Sequence, residues 1–211
     1  MKSLFDHLLN LVFPPRCEVC RRGCAEALCA ECFSQIRFTR PHMGIHTVSI
    51  YEGTVRAAIH RFKFKKRRRL AEPLGVLLVR YLGSNPLLSM GEIEVIVPVP
   101  LHRKRLRQRG FNQAELLAAV VSRYFEVPVV PVLERVRDTR AQFGLARMAR
   151  FRNVAGAFRV SDVEAVSGRR VMLLDDIYTT GSTIAECSRA LHKAGARRVE
   201  VLTLSRAPDD S

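Results

Sequence analysis

The sequence predicts an α/β fold with a parallel sheet, preceded by a small cysteine-rich module. Short apolar runs alternate with helical patterns between residues 93 and 204, as they do when crossover helices join parallel strands. Ile93–Val97 and Val171–Leu174 are mostly apolar, which is typical of strands covered on both faces. Five of the six cysteines lie within residues 17–37, where apolar residues show little periodicity. We therefore expect a separate module there.

The remaining elements follow from local patterns. Helical spacing of apolar residues predicts helices at Thr54–Phe62, Leu70–Leu82, Asn112–Tyr124 and Ser182–Lys193. Further strands are predicted at His46–Tyr51, Val127–Val130, Gly156–Val160 and Val199–Leu204. Pro128 weakens the second of these strands, because proline has no N–H to donate. The chain then divides into a helical segment at residues 1–16, the cysteine module at 17–40 and the α/β domain at 46–206.

Composition narrows the class of protein. The 211 residues are 47% hydrophobic and 26% charged, as in globular proteins. The net charge of +15 predicts attraction to phosphates, nucleic acid or anionic lipid. The N-terminal apolar stretch is too short to cross a bilayer and lacks the features of a signal peptide. We therefore expect a cytoplasmic protein, with the inner membrane surface as the alternative, and cysteines that are reduced or bind metal.

Val171–Leu174 leads into two adjacent carboxylates and a loop of small residues, which then enters a helix. Parallel strands deliver their carboxyl ends to the crevice in which α/β proteins bind ligands. Small residues at a helix start let backbone N–H groups surround an anion, whereas carboxylates suit hydroxyl groups or Mg²⁺. The pattern thus suits ribose 5-phosphate, and the alternative is that the carboxylates merely cap a turn. The residues concerned are Asp175, Asp176, Thr179, Thr180, Gly181, Ser182 and Thr183.

Four cysteines have the spacing of a metal site. They form two Cys-x-x-Cys pairs separated by eight residues, at Cys17, Cys20, Cys29 and Cys32. Four thiolates complete a tetrahedral structural zinc site with no open position. The module has few apolar residues, so a metal would supply the missing stability. Disulfides or unused thiols are the alternative, and Cys24 is expected to be spare.

These motifs occur in an order that closely resembles the ComF family (ComFC/GntX-like). The order is the cysteine pairs, the turn Pro98-Val99-Pro100-Leu101-His102, the segment Arg109-Gly110-Phe111-Asn112-Gln113 and the loop at residues 175–183. Arg137-x-Thr139-x-x-Gln142 and Asn153-Val154-x-x-Ala157-Phe158 also match the family pattern. The resemblance covers nearly the whole chain. Members are type I phosphoribosyltransferase-like proteins, and some are needed for DNA uptake in natural transformation.

The resemblance implies a ligand and two metals. The fold would be a type I phosphoribosyltransferase-like domain with a zinc-ribbon-like module. The ligand would be phosphoribosyl diphosphate (PRPP) with Mg²⁺, and the zinc would be structural. Asp175 and Asp176 would hold the ribose 2′ and 3′ hydroxyls, and residues 179–183 the 5-phosphate. The diphosphate loop would be Val99, Pro100, Leu101, His102 and Arg103, with a solvated basic turn as the alternative reading.

Three functions remain open from the sequence. The first is an enzyme of nucleoside metabolism that transfers phosphoribosyl from PRPP to an acceptor that the sequence does not identify. Thr179 stands where purine-salvage phosphoribosyltransferases have an acidic residue, so hypoxanthine–guanine salvage is not expected. The second is a non-catalytic protein that binds single-stranded DNA. The third is an adaptor that docks on a helicase-like competence factor.

A basic segment supports the DNA hypothesis. Arg61–Lys65 alternates cations with aromatic rings, a pattern that can stack bases while neutralising phosphates. The alternative is that Phe62 and Phe64 belong to the core and that the cations form a solvated face. The candidate DNA contacts are Lys63, Lys65, Lys66, Arg67, Arg68 and Arg69.

Overall fold

The structure, a computed structural model, describes residues 14–41, 44–85, 88–138 and 153–208. Most of the helical segment predicted at residues 1–16 lies outside these ranges, as do Thr139 and Gln142 of the family pattern. Within the described ranges, no helix has the length and apolar character needed to cross a membrane.

Four parallel strands form the central sheet, in the order β1-β6-β5-β2. A separate antiparallel pair consists of β3 and β4. The bounds are β1 (His46–Ile50), β2 (Val95–Pro98), β3 (Leu133–Arg135), β4 (Phe158–Val160), β5 (Arg170–Tyr178) and β6 (Arg198–Arg206). The parallel α/β sheet predicted from the sequence is therefore confirmed.

Two predicted strands differ from this plan. Gly156–Val160 contributes a strand, but β4 pairs with β3 in the small antiparallel sheet. In that sheet Phe158 pairs with Arg135 and Val160 with Leu133. Val127–Val130 makes only one isolated parallel bridge, between Val129 and Ile96. The carbonyl of Pro128 accepts from the Ile96 N–H, but proline has no N–H to extend the ladder.

Helices cover both faces of the central sheet. Their bounds are α1 (Ala30–Ser34), α2 (Gly53–Phe64), α3 (Ala71–Ser84), α4 (Arg103–Arg109), α5 (Gln113–Phe125) and α6 (Ser182–Lys193), with 3-10 turns at Arg68–Leu70 and Met90–Glu92. On one face, α2, α3 and α5 pack against Met172 and Leu174 of β5. On the other, α6 and the small sheet pack against Val171 and Leu173. Buried cysteines of the module belong to the first of these two cores.

The contact between α3 and α5 gives a test of this packing. A Cβ added at Gly75 would lie 2.5 Å from the Cβ of Val120. Gly75→Ala should therefore push the helices apart and lower the free energy of unfolding by about 1–3 kcal/mol. Gly83→Ala is the matched control in the same helix, because nothing lies within 4 Å of its added Cβ. Denaturant unfolding measures both variants, and equal stabilities would contradict the close approach.

Candidate functional site

A crevice opens where β2 ends and its neighbour β5 continues. The two strands pair as far as Pro98 and Leu174, whereas β5 stays paired with β6 up to Tyr178. Successive strand residues point to opposite faces of a sheet. Asp175 therefore points toward α6 and the small sheet, and Asp176 toward α2 and α5. The strand extends beyond its predicted end at Leu174, so that the sheet ladder holds both carboxylates in place.

The crevice is small, and basic side chains outnumber acidic ones among the residues that line it. Its volume is about 200 Å³. Among the described residues that line it, the two carboxylates face four basic side chains, which are Lys63, Arg105, Arg109 and Arg135. A net positive crevice beside paired carboxylates suits a ligand that carries both hydroxyl groups and several negative charges.

Lys63 belongs to this crevice. Its Nζ lies 2.7 Å from Oδ1 of Asp176, and the two side chains are only 13% and 10% exposed. The sequence grouped Lys63 with the candidate DNA contacts, but the structure places it away from that exposed surface. Helical spacing could have revealed this, because Lys63 lies four residues after the buried Ile59.

The charges in the crevice are poorly solvated. Burial raises the pKa of Asp175 to about 7, and the negative charge of Asp176 adds to that rise. The charge of Lys63 and the Asp176 N–H, which donates to Asp175 Oδ1 over 2.8 Å, act in the opposite direction. Burial also lowers the pKa of Arg109 and of Arg135. Electrostatic interactions with a ligand are stronger in such a site than in open solvent.

The loop after β5 has the geometry of an anion site. Gly181 adopts a left-handed conformation with φ of 77°, and an added Cβ would lie 2.6 Å from Oη of Tyr178. Glycine is thus required both by conformation and by space. Gly181 is the N-cap of α6, and because glycine has no side chain it provides no side-chain cap to the first N–H groups of that helix. Thr179 and Thr183 line the crevice, so an anion there would meet the start of α6.

The loop after β2 forms the opposite wall. The Val99 N–H donates to the Leu174 carbonyl, and Asn112 Nδ2 donates to the Val99 carbonyl over 3.0 Å. Val99, Pro100 and Leu101 line the crevice. His102 and Arg103 line an adjoining hollow of about 520 Å³ instead. Arg105, in the first turn of α4, lines the crevice in their place.

The Arg109–Gln113 segment connects this wall to α5. Arg109 donates to Gln113 Oε1 over 2.9 Å, and Gly110 ends α4 with φ of 80°. Phe111 packs on Phe62 with ring centroids 5.3 Å apart. Gln113 is 1% exposed, and its Nε2 has no hydrogen-bond partner within the described part of the chain. The segment therefore holds the β2 loop and brings three polar side chains to the crevice, Arg109, Asn112 and Gln113, which the sequence had not assigned to it.

The four predicted cysteine ligands converge. The Sγ atoms of Cys17, Cys20, Cys29 and Cys32 all lie within 4.8 Å of one another. Those of Cys20 and Cys29 are 3.6 Å apart, close to the roughly 3.8 Å expected for tetrahedral sulfur ligands of zinc. The N–H groups of Val19 and Cys29 donate to Cys17 Sγ, as is common around a metal-bound thiolate. Cys24 Sγ instead donates to the Glu26 carbonyl. The donor set fits a structural zinc ion.

The basic segment, taken as residues 61–69, holds the cysteine module against the sheet domain. Arg61 donates to the Glu18 carbonyl, and Arg67 Nε lies 3.4 Å from the Glu18 carboxylate. Arg69 donates to the Ala25 carbonyl over 2.9 Å. Arg68 lies over the ring of Phe111, 5.2 Å from its centroid. Several candidate DNA contacts therefore already have partners inside the protein.

The two rings of the basic segment have different environments. Phe62 is fully buried, so the core interpretation is correct for this residue. Phe64 is 59% exposed. The Arg109 guanidinium lies over its ring, with 5.4 Å between the guanidinium carbon and the ring centroid. Lys65 and Lys66 are exposed. The surface left for a partner is thus smaller than the sequence predicted.

Comparisons with known proteins agree with this architecture. Residues 112–211 match a model of the phosphoribosyl transferase domain, and residues 8–43 match a double zinc ribbon domain. Competence protein F of Haemophilus influenzae is 32% identical over 195 residues, which cover 85% of this chain and 84% of that protein. DNA utilization protein YhgH of Escherichia coli (strain K12) is 33% identical over 205 residues, or 90% and 89% of the two chains. A solved adenine phosphoribosyltransferase aligns at 16% identity and a TM-score of 0.44, over 69% of this chain and 74% of that one.

Proposed function

The chain belongs to the ComF family of competence proteins, and from that premise we propose that it binds PRPP with Mg²⁺ and serves DNA uptake. Its fold is the parallel-sheet phosphoribosyltransferase fold with an N-terminal double zinc ribbon. The main support for the ligand is that Asp175 and Asp176 share one crevice with four basic side chains and with the start of α6. The support for the biological role is the names of the curated relatives.

Each part of PRPP would have a chemically suitable partner in the crevice. The two carboxylates would accept hydrogen bonds from the ribose hydroxyls, and the start of α6 would hold the 5-phosphate. The β2 loop and Arg105 would lie along the diphosphate. The carboxylates would also favour the positive charge that develops on the ribose ring as its bond to diphosphate breaks. Positioning and charge would then provide most of the catalysis, because Thr179 offers no carboxylate base.

Mg²⁺ fits the crevice as a companion of the ligand. It prefers oxygen ligands and usually keeps several waters while it binds substrate phosphates. Of the described residues that line the crevice, Asp175 and Asp176 provide the carboxylates. Because Asp176 is paired with Lys63, most ligands of the ion would come from the diphosphate and water. The ion would supply charge neutralisation of the leaving diphosphate.

Calorimetric titration tests this proposal. The zinc-loaded protein is titrated with PRPP, with and without Mg²⁺, and inorganic sulfate serves as a control for general attraction to the positive surface. We expect saturable, Mg²⁺-dependent binding at one site per chain. If PRPP gives no more heat than sulfate, the proposed ligand is rejected. If it binds, release of diphosphate with pools of acceptors decides between an enzyme and a binding protein.

Binding of single-stranded DNA is the second candidate function. The exposed Phe64 with Lys65 and Lys66 favours it, at a net charge of +15. Each phosphate contact on single strands contributes about 0.7 to the slope of log affinity against log salt. A variant that lacks both lysines should therefore bind more weakly, with a slope shallower by about 1.4.

Lys65 and Lys66 can be replaced without disturbing the contacts between the zinc module and the sheet domain. Arg61, Arg67 and Arg69 dock the zinc module, so their removal would disturb folding. Lys65→Gln with Lys66→Asn avoids this, and asparagine tolerates the φ of 53° at residue 66. The control is Arg123→Gln with Lys193→Gln, which removes equal charge at the ends of α5 and α6. Fluorescence anisotropy with a labelled oligonucleotide measures the slopes, and the same slope in both variants would exclude this surface.

A further inference from the structure

We propose that Lys63 makes the crevice selective for ligands that carry an anionic group at C1 of the ribose. Lys63 forms an ion pair with Asp176, which is one of the two carboxylates assigned to the ribose hydroxyls. A ligand gains full use of Asp176 only when it offers Lys63 another negative partner. The inference rests on the proposed function, because it concerns how the same crevice chooses among ribose phosphates.

The contact between Lys63 and Asp176 has the properties that this role requires. At 2.7 Å it is a direct charge-assisted hydrogen bond, and both side chains are largely removed from water. Ion pairs at exposed surfaces contribute little to stability. Breaking an ion pair in a poorly solvated crevice costs free energy unless each charge finds another partner. A neutral hydroxyl can donate a hydrogen bond to a buried carboxylate, but it does not compensate the charge that the ammonium group of Lys63 balances. A diphosphate brings its own charge, and lysine has a long flexible stem with which to follow it.

Other groups on the same side of the crevice have unused capacity for an anion. Gln113 Nε2 is a buried donor with no hydrogen-bond partner among the described residues, and buried donors without partners are uncommon in proteins. Gln113 lies beside Arg109, whose guanidinium is close enough to Asp176 for their charges to interact. An anionic group near Lys63 would accept a hydrogen bond from Gln113 Nε2. It would also interact with the positive charge of Arg109. A sugar hydroxyl could accept from the amide donor, but it would bring no negative charge to Lys63 or Arg109.

Calorimetry with two ligands tests the role. PRPP and ribose 5-phosphate, each with Mg²⁺, are titrated into wild type, Lys63→Met and Lys63→Arg. If the methionine variant folds poorly, Lys63→Gln serves as a second neutral variant, because glutamine can still donate a hydrogen bond to Asp176. Lys193→Met is the control for loss of one positive charge, because Lys193 is exposed at the far end of α6. Thermal unfolding checks that all variants are folded.

The measured quantity is the ratio of the two affinities. We expect wild type and Lys193→Met to prefer PRPP, Lys63→Met to reduce that preference at least tenfold, and Lys63→Arg to restore part of it. Affinity for ribose 5-phosphate should stay level or rise in Lys63→Met, because Asp176 is released. An unchanged ratio, with both affinities lowered equally, would mean that Lys63 has only a structural role. That result overturns the inference and leaves the proposed function intact, whereas a wild type that binds neither ligand overturns both.

Discussion

Replacing Asp175 and Asp176 by asparagine should abolish most of the affinity for PRPP. The double substitution keeps the side-chain shape but removes both carboxylates that would accept the ribose hydroxyls. The comparison is made at about pH 8, where Asp175, with a pKa of about 7, is mostly ionised. Hydrogen bonds to charged groups contribute about 1.5–3 kcal/mol each, so we expect a loss of at least about 100-fold. Calorimetry at fixed Mg²⁺ measures the effect. Single variants would separate Asp175, beside Arg135, from Asp176, which is paired with Lys63.

The control for this variant must remove the same two negative charges at positions outside the crevice. Glu72→Gln with Glu92→Gln removes two carboxylates that form surface ion pairs, with Arg123 and Arg170 respectively. These pairs are exposed and should contribute little to stability. We expect the control to bind PRPP as the wild type does. Equal binding by the crevice variant would place the ligand elsewhere and would leave the carboxylates with a structural role.

Loss of the zinc ion should destabilise the whole protein. Cys29→Ser is the sharpest variant, because Cys29 is also the N-cap of α1 and accepts from the Cys32 N–H. Serine preserves such a cap, so that the loss reports on the metal. Structural zinc contributes to folding directly, and a loss on the order of 5 kcal/mol would lower Tm by about 10–20 °C. Mass spectrometry of bound metal and scanning calorimetry measure these two effects.

Cys24→Ser provides the matched control within the same module. Its Sγ lies outside the four-sulfur cluster and bonds to a backbone carbonyl. We expect it to keep one zinc ion per chain and a Tm near that of the wild type. If Cys29→Ser retained the same zinc content, or if Cys24→Ser lost it equally, the assignment of the four ligands would be wrong. Chelation of wild-type zinc should reproduce the effect of Cys29→Ser.

Patterns that are local in the chain could be predicted from the sequence. Ser182–Lys193 was predicted as a helix with the bounds that the structure shows, because apolar spacing and the glycine before it are both local signals. The four cysteines were recognised by spacing alone, since the geometry of a metal site restricts where its ligands can stand. The carboxylates of β5 were found for a similar reason, as their meaning depends on the strand and loop next to them.

Contacts between distant segments were decided only by tertiary structure. Lys63 reads as one cation in a basic run, and only the packing of α2 beside β5 brings it to Asp176. The same packing divides the run, so that Arg67 and Arg69 hold the zinc module while Lys65 and Lys66 remain exposed. A one-dimensional pattern gives the chemistry of each side chain and the face on which it lies. The partner of a charge depends on which surfaces meet, and long-range packing of the core determines that.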